Sequence, residues 1–65
     1  MLKILDTVHE GYSDGKEHVR AVISVNAASE LVTEVGDKVF TETSFALVNS
    51  TGDSYVLTNG AWVKE

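Results

Sequence analysis

Asn59-Gly60 stands between two runs of β-forming residues, Tyr55–Thr58 and Ala61–Val63. A two-residue loop of this composition selects a type I′ turn, because both central residues take positive φ and Asn and Gly tolerate it best. The pairing on either side is then fixed: Thr58 faces Ala61, Leu57 faces Trp62, Val56 faces Val63 and Tyr55 faces Lys64. Upstream, the turn-forming group Ser50-Thr51-Gly52-Asp53 separates Phe45–Val48 from Tyr55–Thr58. The last third of the chain therefore reads as a three-stranded meander. It carries the only Trp, one of the two Tyr and one of the two Phe, so much of the core belongs here.

The terminal hairpin is apolar on both faces. Tyr55, Leu57 and Trp62 line one, and Val56, Ala61 and Val63 line the other. A strand pair of this kind belongs to a sheet covered on both sides, or to one that reserves a face for a partner. Tyr55, Leu57 and Trp62 are the candidate interface residues, and self-association is a route to extra burial. A chain of 65 residues forms one domain at most, spanning residues 1–65. It buries only about 60% of the surface its unfolded form exposes.

The remainder reads as two strands and a helix. Ile4–His9 is a first strand, and Gly11–Lys16 is a turn cluster with Asp14-Gly15 at its tip. In Val19–Val25, Val19, Ala21, Ile23 and Val25 share one face, with His18, Arg20 and Ser24 on the other and Val22 interrupting the polar side. A two-residue loop at Asp14-Gly15 sets Asp6 beside Ile23. A five-residue loop, Tyr12–Lys16, sets Leu5 there instead, and the apolar pairing favours that longer loop. Asn26 is placed to cap a helix in which Ala28, Leu31, Val32 and Val35 follow the spacing of one face, with Gly36 as its left-handed end. Asp37–Thr41 reads as a short strand or an extended connector. The expectation is an α+β domain: a small, mainly antiparallel sheet in the order β-β-α-(β)-β-β-β, with one short helix packed on it.

Chemistry-bearing constellations are sparse. The chain has no Cys, which removes disulfides, iron–sulfur clusters and thiolate zinc sites. His9, His18 and Glu10 flank the first turn, yet zinc needs three or four convergent ligands and Arg20 nearby opposes a cation. No Ser stands in a strand–helix elbow. Ser50–Asp53 lacks both the Gly-Lys pattern of a phosphate loop and the spaced carboxylates of a calcium loop. The expectation is a non-enzyme with no metal and no cofactor. A formal charge of −5 opposes unaided binding to nucleic acid or anionic lipid, so Trp62 and Tyr55 read as packing residues rather than base-stacking platforms. No run approaches the ~20 apolar residues of a membrane span. Asp6 interrupts Met1–Leu5 before a signal-peptide core can form.

Ser44-Phe45-Ala46-Leu47, Ser50–Leu57 and Gly60-Ala61-Trp62-Val63-Lys64 resemble the corresponding segments of short proteins of tailed bacteriophages and prophages, whose genes lie among head and tail genes. Those proteins often end in a Gly-Asp/Glu-x-Tyr hairpin followed by a Gly-x-Trp strand. The likeness covers the last third of the chain. It implies a virion-associated or assembly role, in the bacterial cytoplasm during assembly or in the virion, with partners that are proteins: the chain itself or other virion components. It implies no catalytic residues. The rival reading is an acidic inhibitor or regulatory module that binds a host protein. Clustering of Asp and Glu on one face would favour that rival, and here they are spread among turns, the helical segment and the carboxyl end.

Overall fold

The computed structural model describes every residue, Met1–Glu65. It forms one curled sheet of seven strands: β1 (Lys3–Ser13), β2 (Lys16–Val25), β3 (Glu34–Val35), β4 (Lys38–Phe40), β5 (Phe45–Val48), β6 (Asp53–Thr58) and β7 (Ala61–Lys64). Strand β2 is the spine. Along one edge it pairs antiparallel with β1. Its other edge is shared by two strands, both parallel to it. The first half takes β4, with Val19 opposite Phe40, and the second half takes β5, from Val22 opposite Phe45 to Val25 opposite Val48. Strand β3 flanks β4, and β6 and β7 continue the sheet beyond β5 as the meander read from the sequence.

The expected α+β class is wrong, and so is the packed helix. The only helical piece is the 3-10 turn Ala28–Glu30, and the sheet is mixed. The reason is reach. After Val25 the chain must return to the level of Val19, because Phe40 N–H donates to Thr33 C=O while Phe40 lies opposite Val19. Six residues of β2 span about 20 Å at roughly 3.3 Å per residue. A nine-residue helix spans only about 13 Å. An extended return path is therefore required. Leu31 and Val35 still reach the core from it, whereas Ala28 and Val32 are exposed. Asn26 caps nothing with its side chain; its N–H donates to Glu30 Oε1 at 2.9 Å. Gly36 is left-handed as expected, but it turns the β3–β4 hairpin instead of ending a helix.

The first hairpin corrects the preferred loop. Ser13 pairs with Lys16, so the loop is Asp14-Gly15, with φ of 55° and 75°. The apolar pairing is recovered by two bulges. One near Glu10 and one near Leu5 each shift the register, bringing Ile4 opposite Ile23 and Asp6 opposite Val22. Each bulge adds a residue on β1 alone and thereby moves the side chains that follow to the other face. The terminal hairpin matches expectation pair for pair, with Leu57 opposite Trp62 and φ of 53° and 79° at Asn59 and Gly60.

The core lies inside the curl. Val19, Ala21, Ile23, Phe40, Ala46 and Leu57 form its buried cluster, and Leu2, Ile4, Leu31, Val35, Tyr55 and Trp62 pack around it. Ser44 sits at the junction where β4 hands over to β5. It is fully buried; its Oγ accepts from Ala21 N–H at 3.0 Å and donates to Thr41 C=O at 2.7 Å. The hydroxyl supplies the ladder bond that neither short strand provides. Trp62 joins the two ends of the curl. Its indole N–H donates to Val32 C=O at 2.8 Å, and its ring meets Phe40 edge-on at 6.4 Å.

Glu17 ties three strands together at the open end of the spine. Its carboxylate takes Lys38 Nζ from β4 at 2.6 Å and His9 Nδ1 from β1 at 2.8 Å. The Lys38 bond first, then the His9 bond, holds the Glu17 carboxyl below its ordinary 4.5. Asn26 N–H does the same for Glu30. A carboxylate with a depressed folded-state pKa contributes stability that is complete above the unfolded value and is lost as pH falls through the folded one. The thermal midpoint should therefore drop as pH is lowered from about 4.5. Glu17→Gln should flatten that acid limb while leaving Glu30's share, as differential scanning fluorimetry across pH would read. An acid limb identical in the variant would remove Glu17 from the account.

Candidate protein-docking face

The alternation of β2 decides which side of each strand is which. Val19, Ala21, Ile23 and Val25 point into the curl, so Arg20, Val22 and Ser24 point out. Register carries that division across the sheet. Val22 lies opposite Phe45, Phe45 opposite Val56 and Val56 opposite Val63. These four side chains form an apolar row across β2, β5, β6 and β7 on the outer face. Val22 and Phe45 are 38% and 37% exposed and Val63 is 47% exposed, so the row is open to water. Leu47, on the same face between Ser24 and Ser54, widens it.

Charged side chains border this face. Asp6 is opposite Val22 at the β1 end of the row, and Val8 is opposite Arg20. Lys3 is opposite Ser24, and Glu65 N–H donates to Ser54 C=O beyond Leu47. Three of the lysines have carboxylate partners: Lys16 with Glu34, Lys38 with Glu17 and Lys64 with Asp53. Lys3 and Arg20 have none within the 4.0 Å that defines an ion pair, and both belong to the outer face. Asp6, Val8, Arg20, Val22 and Thr43 line a shallow cleft of about 190 Å³ beside the row. That is below the several hundred Å³ typical of small-molecule pockets.

No protein-family model, curated protein or solved structure matches this chain.

Tyr55, Leu57 and Trp62 all lie on the inner face. Leu57 is buried, and the two rings pack against the core cluster with their outer parts reachable by solvent. They are brought together, but as the wall of the core. The opposite face of the same hairpin, with Val56 and Val63, joins the outer row. His9 sits against Glu17 and Tyr12, whereas His18 lies on the outer side opposite Gly11, so the two imidazoles are not brought together. No three His, Cys, Asp or Glu side chains converge as metal ligands. Sequence reasoning missed the outward roles of Phe45 and Leu47. The signal was present: Phe45–Val48 is apolar at four successive positions, so a strand there has no polar face.

Proposed function

We propose that the chain is a non-enzymatic structural or assembly protein of a tailed bacteriophage or prophage that engages other assembly proteins of the capsid, tail or connector through the outer face of its sheet. The observation that carries the docking face is the row Val22–Phe45–Val56–Val63, aligned by register and open to solvent. A contiguous apolar row with charged borders is the anatomy of a protein interface, where an apolar centre is ringed by polar groups. The phage assignment rests on the resemblance of Ser44–Leu47, Ser50–Leu57 and Gly60–Lys64. A nucleic-acid mimic has less support: Glu17, Glu30, Glu34 and Asp53 are held in ion pairs, so their charge is met within the chain.

The test uses particles and assembly intermediates purified after prophage induction and analysed by quantitative mass spectrometry. The chain should be present at fixed stoichiometry in at least one of them. Phe45→Asp, an outward substitution, should keep the circular dichroism of the native protein and lose that association. A chain absent from every particle and intermediate, with assembly unaffected by its deletion, would sink the proposal. A neighbouring toxin or nuclease gene in place of capsid and tail genes would point to the inhibitor reading.

A further inference from the structure

We propose that Asn59 is a site of spontaneous deamidation, and that its isoaspartyl product releases the terminal hairpin from the curl. The site follows from the fold alone, whatever the outer face binds. In the reaction the Gly60 main-chain nitrogen gives its proton to solvent and attacks Asn59 Cγ. The new N–Cγ bond forms as the Cγ–Nδ2 bond breaks, and the amide group leaves as ammonia. Water then opens the five-membered imide. Cleavage between the nitrogen and Cγ yields Asp at this position. Cleavage between the nitrogen and the main-chain carbonyl carbon yields isoaspartate, with the chain now running through the side chain. The second route predominates, because the main-chain carbonyl is the more electrophilic of the two. One water is consumed and one ammonia released, with no oxidant and no enzyme.

Two features single out Asn59 among the three asparagines of the chain. The residue after it is Gly60, which has no side chain and open space around it, so the attacking nitrogen is uncrowded. Gly60 N–H also donates to no acceptor in the chain. By contrast, Ser50 N–H, which follows Asn49, donates to Asn26 C=O at 3.1 Å, and Ala27 N–H, which follows Asn26, faces the Glu30 carboxylate. The turn sets the rate. With φ of 53° at Asn59 and 79° at Gly60, the type I′ conformation puts the Gly60 nitrogen on the far side of the Asn59 Cα–C bond from the side chain. The ring therefore closes only when the tip opens. Asn59 N–H donates to Glu42 Oε1 at 2.7 Å, which holds the tip against the β4–β5 connection. Glu42 thus gates the reaction without taking part in its chemistry. Isoaspartate adds one main-chain atom to a two-residue loop. Such a loop fixes the register, so the added atom unseats Leu57 from Trp62 and the indole N–H from Val32 C=O. The Asp product has an ordinary main chain, and Asp-Gly suits the same turn, so it keeps the fold.

The experiment incubates the full chain at mildly alkaline pH and follows conversion by peptide mapping, with a synthetic peptide spanning Tyr55–Lys64 as the unfolded reference. Asn59 should convert in the folded chain roughly tenfold or more slowly than in the peptide, because the tip must first open. Asn26 and Asn49 should stay intact. Glu42→Ala should accelerate conversion by roughly tenfold, the weight of one hydrogen bond to a charged group. Its circular dichroism should be native, because Glu42 is exposed. The isoaspartyl fraction, separated by chromatography, should melt below the native chain, whereas Asn59→Asp should melt as the native chain does. Asn59→Gly carries no amide and leaves a Gly-Gly turn, so its midpoint should hold through the same incubation. An Asn59 that stays intact while the peptide converts fully, or that converts no faster than Asn49, would overturn the site. A conversion rate indifferent to Glu42→Ala would overturn the gate, and an isoaspartyl chain with the native midpoint would overturn the release of the hairpin.

Discussion

Trp62→Ala is expected to lower the thermal midpoint by about 12–24 °C. A domain of this size has roughly 3–10 kcal/mol of stability at ordinary per-residue values. Truncating a core Trp costs about 3–5 kcal/mol, and the low end applies here because the indole is only partly buried. Near 60–100 residues, each kcal/mol moves the midpoint by about 4–8 °C. The large effect has a topological cause. Trp62 stands on β7 at one end of the curl and touches Phe40 on β4 and the Val32 carbonyl at the other. Its loss opens the sheet as well as leaving a void. Trp62→Phe separates the two contributions. It keeps a ring against Phe40 and forfeits the indole N–H bond, which is worth about 0.5–1.5 kcal/mol. Thermal melts of both variants supply the measurement, and an alanine variant that melts with the native protein would reject the role assigned to Trp62.

Ser44→Ala is the second large effect. The substitution removes one oxygen and creates no steric conflict, yet it leaves the buried Ala21 N–H without an acceptor. An unsatisfied buried donor costs about 1–3 kcal/mol, equivalent to a fall of roughly 4–24 °C in the midpoint of a domain this small. The damage should be local before it is global. Amide exchange at Ala21 and at Thr41, whose N–H donates to Val19 C=O beside the junction, should accelerate more than exchange at Val56 or Val63 in the distant hairpin. Uniform acceleration along the chain would mean that Ser44 contributes only to bulk packing and does not splice β4 to β5.

How far the fold could be read in advance depended on the distance over which each feature is encoded. The Asn59-Gly60 turn, the Asp14-Gly15 tip, the inward set Val19, Ala21, Ile23 and Val25, and the strands on either side of Ser50–Gly52 all follow from neighbours within a few residues. Backbone sterics at positive φ and the period-two alternation of a strand act at that range. The helix expected between Asn26 and Gly36 failed because the same spacing that marks one helical face also places Leu31 and Val35 on one side of an extended chain. What removed the helix was the span from Val25 back to the level of Val19, a demand set by the partner of β2 rather than by the segment.

The candidate face shows the same division. Val22 as a break in a polar face, the two-sided hairpin carrying Val56 and Val63, and the wholly apolar run Phe45–Val48 are each legible along the chain. That they form one row is a property of pairing across strands far apart in sequence. The parallel placement of β5 against β2 joins Val22 to Phe45 across a connection that holds two other strands. Closing such a loop costs entropy that only the assembled core repays, so no local preference records it. Short-range sterics and alternation thus specified the turns and the two-faced strands, while the non-local hydrogen-bonded register decided which faces became core and which became surface.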